Sequence, residues 1–322
     1  MKKLRFTCEN ELKHFGACDA SGSVALFDTK YLVVANDEDN ILRVYDSTSS
    51  GKPLASIDIN NYFTNNPKGR EVDIEAATIL NGSIYYITSH GRNKNGKERP
   101  ERRNLFANQF AVEGESFPAQ QVGHSYSKLL EDMEKDERLK KYKLESAEKL
   151  APKEKGALNI EGLCTTPDKQ LLIGFRNPIR EGKALVVPLE NPEELVQKED
   201  ISAKFGEPID LDLGGLGIRS IEYWESHELY IIAAGAYHSG DEFRFYQWSG
   251  NRDEKPEEIE IVDLPPGFNP EAIVIYPNLD NKFQILSDDG SVKREGETPC
   301  KDLPPESEQK FFRSVWVNVE IL

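Results

Sequence analysis

Residues 73–88 have the sequence DIEAATILNGSIYYIT. Polar residues open this stretch, two apolar runs follow, and the dipeptide Asn81-Gly82 between them is typical of a turn that joins two antiparallel strands. The same order of polar start, short apolar segment, turn and strongly apolar strand occurs four more times in the chain. The five polar starts are Asp19-Ala20-Ser21, Asp73-Ile74-Glu75, Asn159-Ile160-Glu161, Ile218-Arg219-Ser220 and Asn269-Pro270-Glu271. A pattern that recurs in this way predicts an array of similar structural units.

The spacing of these repeats predicts a β-propeller. The last residue of each start is at position 21, 75, 161, 220 or 271, so the intervals are 54, 86, 59 and 51 residues. A period of about 55 residues accommodates four short strands, as in one propeller blade. The long interval contains residues 125–155, a charged stretch rich in helix-forming residues, with apolar residues at roughly helical spacing. We therefore predict a helical insertion at about 125–155, after the second blade, that lies on the surface outside the core.

The two ends of the chain predict how the ring of blades closes. Third and fourth strands can be assigned in the first, third and fourth units, but the last unit has only one further strand, Arg313–Ile321, before the chain ends. The N-terminal segment Lys3–Cys8 precedes the first unit and has no other assignment. We predict that it supplies the missing fourth strand and so covers an open sheet edge. The predicted fold is therefore all-β, a single five-bladed β-propeller domain over residues 1–322.

Charge and cysteine content restrict the partners and the compartment. The net charge of −16 disfavours nucleic acid or an anionic membrane as a partner. No apolar run reaches the length of a signal-peptide core or of a membrane span. Cys8, Cys18, Cys164 and Cys300 lack the spacing of a structural zinc site and do not resemble a disulfide framework. We therefore expect reduced cysteines and a cytoplasmic protein.

Propeller geometry predicts that polar residues meet on one face of the molecule. In each blade the first strand lines the channel, and its start lies on the same face as the end of the second strand. Three carboxylates in such a ring repel each other unless a cation neutralises them, and hard oxygen ligands suit Ca²⁺ or Mg²⁺ better than zinc. The alternative is that the ring residues hydrogen-bond to the backbone of the neighbouring blade. The predicted ring consists of Ser21, Glu75, Glu161, Ser220 and Glu271.

The ends of the second strands add candidate catalytic and ligand-binding residues to the same face. Arginine side chains near these ends favour an anionic ligand, because a guanidinium group matches the geometry of phosphate or carboxylate. For Arg219 we favour the alternative role of neutralising the acidic ring. The candidates are Asp37 and His90 as general bases and Arg92, Arg176, His238 and Asp288 as ligand contacts.

Several blocks of sequence resemble a known bacterial family. The stretches CDASGSVALFDTKYLVVANDEDNILRVYD, DIEAATILNGSIYYITSHGRNKNGK, LNIEGL, LLIGFRNP, LDLGGLGIRSIEYW and LSDDG are similar to the domain of unknown function 3616 family, over Gly16 to Gly290. This resemblance implies no activity, because the family has none established. In addition, the ring order Ser, Glu, Glu, Ser, Glu is similar to that of calcium-activated apyrases, which implies an axial Ca²⁺ in a five-bladed propeller.

Two functions from different classes follow from these observations. The first is a metal-dependent hydrolase that acts on a small anionic or phosphorylated substrate at the polar face. A metal ion there would polarise an oxygen of the substrate or lower the pKa of a bound water. The second is a non-enzymatic propeller that binds a ligand or a protein partner and holds a structural axial metal. The fold alone does not distinguish the two.

Overall fold

A computed structural model describes residues 2–26, 30–111, 113–114, 116–238 and 242–322. Strands dominate this part of the chain, and the helices are few and short. In chain order the strands are β1 (Leu4–Phe15), β2 (Gly22–Leu26), β3 (Tyr31–Ala35), β4 (Ile41–Asp46), β5 (Ala55–Asp58), β6 (Ile74–Leu80), β7 (Ser83–Thr88), β8 (Leu105–Phe110), β9 (Ala119–Tyr126), β10 (Asn159–Thr165), β11 (Leu171–Arg180), β12 (Lys183–Leu189), β13 (Ile209–Leu211), β14 (Gly217–Trp224), β15 (Leu229–Gly235), β16 (Phe243–Trp248), β17 (Glu257–Val262), β18 (Pro270–Ile275), β19 (Lys282–Ser287) and β20 (Phe311–Ile321).

The helices lie in connections between strands. The α-helices are α1 (Leu129–Lys135), α2 (Leu144–Ala147) and α3 (Pro192–Gln197). Short 3₁₀ turns occur at Asn60–Tyr62, Pro100–Arg102, Lys140–Tyr142, Glu225–His227 and Cys300–Asp302. None of the helices that the structure describes has the length and apolar character needed to cross a bilayer.

The strands form antiparallel meanders of four. Three separate sheets have the orders β2-β3-β4-β5, β6-β7-β8-β9 and β10-β11-β12-β13. An eight-stranded sheet has the order β14-β15-β16-β17-β1-β20-β19-β18. Its two halves are joined where β17 and β1 pair in parallel, from Arg5 opposite Glu260 to Thr7 opposite Val262. In each meander the first strand lies at an edge of the sheet. The five first strands can therefore all face the same central region.

The first strands contact one another in a closed cycle. β2 contacts β6, β6 contacts β10, β10 contacts β14, β14 contacts β18, and β18 contacts β2 again. Buried apolar residues fill the spaces between neighbouring meanders, as Val33 and Tyr86 do between the first two sheets. The eight-stranded sheet also has such a core between its halves, where Ile231 and Ile285 lie in one buried cluster. The fold is therefore all-β and propeller-like, with its core between the sheets.

The predicted pairing of the N-terminal segment with the last strand is confirmed. β1 runs antiparallel to β20 from Leu4 opposite Ile321 to Phe15 opposite Phe311. The strand is longer than predicted, because pairing resumes after an irregularity between Cys8 and Glu11.

The segment around 125–155 carries helices, as predicted, but the expectation that it lies outside the core is wrong. Helices α1 and α2 both fall within it. Leu129, Met133 and Leu144 are at most 2% exposed and belong to the buried cluster between the second and third sheets. The apolar positions that predicted a helix therefore extend the core. Most charged positions face solvent, but Asp132 is 7% exposed and accepts hydrogen bonds from Tyr126 and Ala203.

This packing predicts a large stability effect from a single substitution in α1. Met133→Ala removes a side chain that has no exposed surface, and we expect it to lower the free energy of unfolding by about 2–4 kcal/mol because a cavity remains. Lys135→Ala on the same helix is the control, since the Lys135 side chain is 72% exposed and its loss costs less than about 0.5 kcal/mol. Urea denaturation followed by circular dichroism measures both. Equal midpoints for the two variants would show that the segment is a surface excursion after all.

The cysteines differ from the expectation of a fully reduced protein. Cys18 and Cys300 form a disulfide across 282 residues of sequence, whereas Cys8 and Cys164 are buried free thiols. The bond joins the segment before β2 to the connection between β19 and β20. It was missed because residues so far apart in sequence meet only when the cycle of strands closes. Disulfides are typical of oxidising compartments, so the cysteines no longer support a cytoplasmic location.

Candidate metal centre

Three of the five predicted ring residues come together at one end of the channel. Glu75 in β6, Glu161 in β10 and Glu271 in β18 each offer a carboxylate oxygen, and these oxygens all lie within 4.8 Å of one another. All three residues are buried, with exposed fractions of 9%, 2% and 4%. Three carboxylates at this separation need positive charge nearby, because burial strengthens their mutual repulsion.

Irregular strand pairing places these side chains. The pairing between the first and the second strand of each sheet is irregular at these glutamates. Glu75, Glu161 and Glu271 each lie between two paired residues where the register shifts. A shift of this kind inserts an extra residue and turns its side chain away from the regular alternation. In β14 the corresponding shift surrounds Arg219, not Ser220. The predicted equivalence of Ser220 with the glutamates is therefore wrong by one residue, and Arg219 occupies the fourth position.

Two arginines neutralise part of the carboxylate charge. Arg219 forms an ion pair with Glu271, and its Nε lies 3.9 Å from Glu161 Oε2. Arg176 Nη1 donates a hydrogen bond of 2.8 Å to the other oxygen of Glu161. Within the described residues, Glu161 Oε2 accepts no hydrogen bond, and Glu75 has neither a hydrogen bond nor an ion pair. Three carboxylates thus face two guanidinium groups, and the unbalanced one is Glu75. The expected role of Arg219 as an internal partner is confirmed.

A second acidic group adjoins the first and shares Glu271. Asp19, Glu271 and Asp288 offer carboxylate oxygens that also lie within 4.8 Å of one another. Asp19 is 4% exposed, and its Oδ2 accepts hydrogen bonds from the backbone N–H groups of Ser21 and Asp37 at 3.2 and 3.5 Å. Burial, with the charges of Asp288 and Glu38, raises the pKa of Asp19 well above its ordinary value. The centre thus extends toward the ends of the second strands.

Burial and the neighbouring negative charges also raise the pKa of two further carboxyl groups of the centre, those of Glu75 and Asp73. Burial, followed by the charges of Asp73 and Glu161, raises the pKa of Glu75 well above its ordinary value. Burial also raises the pKa of Asp73 to about 6, although Arg102 opposes the shift with an ion pair of 2.8 Å. These raised pKa values mean that burial and the neighbouring carboxylates favour the protonated form of both groups.

Asp37, a predicted base, lies at the solvent-exposed side of this group of carboxylates. Its side chain is exposed to solvent, while protein atoms and acidic groups surround it on the other sides. That enclosure, with the charges of Asp19, Asp73 and Asp288, raises the pKa of Asp37 well above its ordinary value. Asp37 is therefore reachable by a small molecule and shares the field of the carboxylate centre.

The two predicted serines have backbone partners. Ser21 Oγ donates a hydrogen bond of 2.6 Å to the carbonyl of Ile74, and Ser220 Oγ accepts one of 3.1 Å from the N–H of Ile273. Each bond links one first strand to the next around the cycle. The alternative role from the sequence, fixing neighbouring strands to each other, therefore describes the serines better than metal ligation does.

Two residues predicted to contact a ligand or move protons are engaged elsewhere. His90 is 1% exposed, its Nδ1 lies 2.8 Å from the carbonyl of Thr88, and burial lowers its pKa to about 4. Arg92 donates to the carbonyl oxygens of Glu148 and Gly96 at 2.7 and 3.2 Å. His90 is thus shielded from a ligand, and Arg92 fastens the helical segment. These positions argue against both predicted roles.

The remaining predicted ligand contacts lie closer to the centre. The Arg176 guanidinium donates hydrogen bonds to Glu161 and to two backbone carbonyls. The carbonyls are those of Ala236 and His238, at 2.9 and 3.2 Å. His238 is exposed, and its ring contacts Tyr237. Asp288 is half-buried and belongs to the second acidic group. Asp19 was overlooked as a site residue, although its place two residues before Ser21 in a polar strand start was a usable signal.

The fold and the centre define a propeller-like all-β protein with buried carboxylates at one end of its channel. The chain belongs to the family described as "Protein of unknown function (DUF3616)", whose model matches residues 111–282. The family resemblance of the sequence is thereby confirmed.

Solved structures give a similar picture of the fold. The structure of Myxococcus xanthus glutaminyl cyclase aligns with a TM-score of 0.51 and 12% identity, over 99% of this chain and 100% of that one. The pyrroloquinoline-quinone-bound aldose sugar dehydrogenase from Streptomyces coelicolor aligns with a TM-score of 0.49 and 11% identity, over 99% of each chain. A search of curated proteins finds no match. The alignment with the glutaminyl cyclase shows a shared fold, and an identity of 12% transfers no activity.

Proposed function

We propose that the chain is a five-bladed propeller that binds a divalent cation, Ca²⁺ or Mg²⁺, between Glu75, Glu161 and Glu271. The observation that carries this proposal is the uncompensated charge of the centre. Three carboxylate oxygens lie within 4.8 Å of one another. Within the described residues Glu75 has no hydrogen bond or ion pair, and Arg102, Arg176 and Arg219 act on it only at longer range. Carboxylate oxygens are the ligands that both ions prefer.

The spacing of the oxygens supports an ion of this kind. Ca²⁺ holds its oxygen ligands at about 2.3–2.6 Å, so two ligands on opposite sides of the ion are about 5 Å apart. The three carboxylate oxygens therefore lie at separations that ligands of one such ion can have. Ser21 and Ser220, the other predicted ligands, would keep their present hydrogen bonds and support the strands that carry the glutamates.

The closed cycle of first strands supports the count of five blades. Each of the five first strands contacts two other first strands, and buried apolar clusters lie between neighbouring meanders. The eight-stranded sheet is compatible with this count, because β17 and β1 are the outer strands of their meanders. Their short parallel pairing joins two blades at the rim and leaves an apolar core between them.

The finer proposal is hydrolysis of a small anionic substrate, such as a phosphorylated one. A bound metal ion would polarise an oxygen of the substrate or activate a water. Asp37 is the base that the geometry favours, because it is exposed beside the centre. Asp288 would orient the water or a second ligand group at the same mouth. His90 and Arg92 have no part in this proposal.

One observation favours the second candidate, a binding propeller with a structural metal. The arginines predicted to clamp an anion, Arg92 and Arg176, donate to atoms of the protein itself. A substrate anion would then depend for positive charge on the metal and on the exposed Lys153 ammonium, which interacts with Asp288 at the same centre. In this case the exposed rim around Asp37 and His238 would recognise a ligand or a protein partner. A cytoplasmic location stays a prediction under either candidate.

Metal binding is tested by removing the uncompensated charge. Glu75→Gln keeps the shape of the side chain, and we expect it to weaken Ca²⁺ or Mg²⁺ binding by about tenfold or more, because it removes a charged ligand. Isothermal titration calorimetry of the metal-free protein measures the affinity. At a metal concentration that saturates only the wild type, chelator should lower the melting temperature of the wild type more than that of the variant, since stabilisation grows with the fraction of protein that binds the ion.

Glu137→Gln is the matched control, because the Glu137 side chain is 81% exposed and lies far from any first strand in sequence. It should bind metal as the wild type does. Equal affinity of the Glu75 and Glu137 variants, or no metal binding by the wild type, would refute the centre.

A further substitution separates the two candidate functions. Asp37→Asn should abolish turnover of phosphate and carboxylate esters by the metal-loaded protein while metal affinity changes little. Absence of any metal-dependent turnover by the wild type, together with a metal-dependent rise in melting temperature, would assign the structural role to the ion.

A further inference from the structure

A cavity occupies the end of the channel opposite the carboxylate centre. Its volume is about 460 Å³, within the range of small-molecule sites. The ends of all five first strands line it, whereas the glutamates lie at the starts of β6, β10 and β18. From Glu75 to Thr78, one of the lining residues, β6 advances by about 10 Å, so the two sites are distinct.

One carboxyl group stands out in this cavity. Glu222 of β14 is half-buried and, within the described residues, makes no hydrogen bond or ion pair. Desolvation by the surrounding protein raises its pKa well above the ordinary value. A carboxyl group held in this way has a favourable interaction to gain from a ligand, because nothing in the protein compensates its charge.

The other walls of the cavity restrict what that ligand is. Ile79 lines it and is 40% exposed, which is unusual for a large apolar side chain. The hydroxyl groups of Thr78 and Thr165 bond to each other at 3.2 Å, and Thr165 Oγ1 also donates to the carbonyl of Ile79 at 2.8 Å. With those hydroxyls engaged and Ile79 exposed, this part of the wall offers apolar surface for an alkyl group.

The charge at the mouth has the same sign as Glu222. Glu225 and Glu228 line the cavity and are exposed, and Lys169 is the cation among the lining residues. Three carboxylates against one ammonium group leave a negative mouth, which attracts cations and repels anions. We propose that this cavity binds a small organic cation, with an ammonium or guanidinium group on Glu222 and an apolar stem along Ile79.

A cationic ligand should be linked to protons at this site. It binds best to the ionised form of Glu222, so its affinity should rise as the pH increases through the pKa of that group and then level off. The titratable groups around Glu222 are the exposed Lys169, Glu225 and Glu228, the phenols of Tyr223 and Tyr276, and the Cys164 thiol in β10. Burial raises the pKa of the thiol and of both phenols. None of them reverses the expected direction, because the carboxyls of the mouth also lose protons as the pH rises.

Calorimetric titration with n-butylammonium, with n-butanol as the uncharged probe, tests the proposal. We expect the wild type to bind one n-butylammonium and to bind n-butanol at least about tenfold more weakly, since a charge-assisted hydrogen bond is lost. The Glu222→Gln variant should bind n-butylammonium at least about tenfold more weakly than the wild type does. Glu137→Gln is the matched control, because the Glu137 side chain is 81% exposed and lies outside the cavity, so its loss should change the affinity less than about twofold.

Saturable binding that depends on charge and on Glu222 supports the proposal. Equal binding of both probes, equal binding by Glu222→Gln, or no saturable binding by the wild type overturns it. If Glu222→Gln fails to fold, the pH series on the wild type decides. A rise of n-butylammonium affinity with pH beside a constant n-butanol affinity supports the site, and parallel curves for the two probes reject it.

Discussion

A chain that lacks residues 1–8 is expected to lose most of its stability and to yield little folded protein. The deleted segment pairs with β20 on one side and with β17 on the other. It also carries Leu4 and Phe6, which are 1% and 0% exposed in the core between the halves of the eight-stranded sheet. Burial of two such side chains contributes about 5 kcal/mol or more, a large fraction of the stability of an ordinary domain.

Two point variants make this expectation quantitative when the truncated chain cannot be purified. Phe6→Ala should lower the free energy of unfolding by about 3–5 kcal/mol, because Phe6 packs edge-on against Phe245 and Phe283. Lys3→Ala is the control, since Lys3 is exposed and its loss should change stability by less than about 0.5 kcal/mol. Urea denaturation measures both. A truncated chain that melts like the wild type would show that β1 does not hold the ring closed.

Removal of the disulfide is expected to be the second large effect. The double variant Cys18→Ala/Cys300→Ala opens a loop of 282 residues in the unfolded chain, and we expect stability to fall by about 2–5 kcal/mol. The loss arises mainly from the greater freedom of the unfolded state, so the folded structure should be preserved at low temperature. Thermal denaturation of both proteins, with and without a thiol reductant, gives the difference.

The reductant supplies the internal control for this experiment. It should lower the melting temperature of the wild type to that of the double variant and leave the variant unchanged. Cys8 and Cys164 are buried thiols and take no part. After unfolding and alkylation without reductant, mass spectrometry should find Cys18 and Cys300 of the wild type unmodified. Four free thiols in protein purified without reductant would contradict the bond.

The candidate centre shows what sequence periodicity predicts well. Glu75, Glu161 and Glu271 share one position in the repeat, and the structure brings their carboxylates together because the equivalent strands contact one another in a closed cycle. The same reasoning misassigned Ser220, since a register shift moves the equivalent position to Arg219. Such a shift depends on how two strands pair and leaves no trace in the spacing of apolar residues.

Roles that depend on a side chain's partners were predicted less well. The sequence places Arg92 at the end of a second strand beside polar residues, which is typical of a ligand contact. In the structure its guanidinium meets the carbonyl of Glu148, 56 residues further along the chain. The cavity at Glu222 was missed for a similar reason. A lone carboxyl in a strand has no recognisable pattern, and its isolation is a property of the surrounding packing.

The sequence by itself determined the repeated meander of four strands, the place of the helices between β9 and β10, and the pairing of the N-terminal segment with the last strand. The meander and the helices follow from local patterns, because alternation, turn residues and repeat length act within a few tens of residues. The pairing of the two ends follows from the strand count, because the last unit lacks one strand and the N-terminal segment has no other assignment. Only the tertiary structure decided that Met133 lies in the core, that Cys18 meets Cys300, and which of the ring charges lack partners. These outcomes depend on contacts between distant segments, whose distances are set when the sheets pack around a common centre.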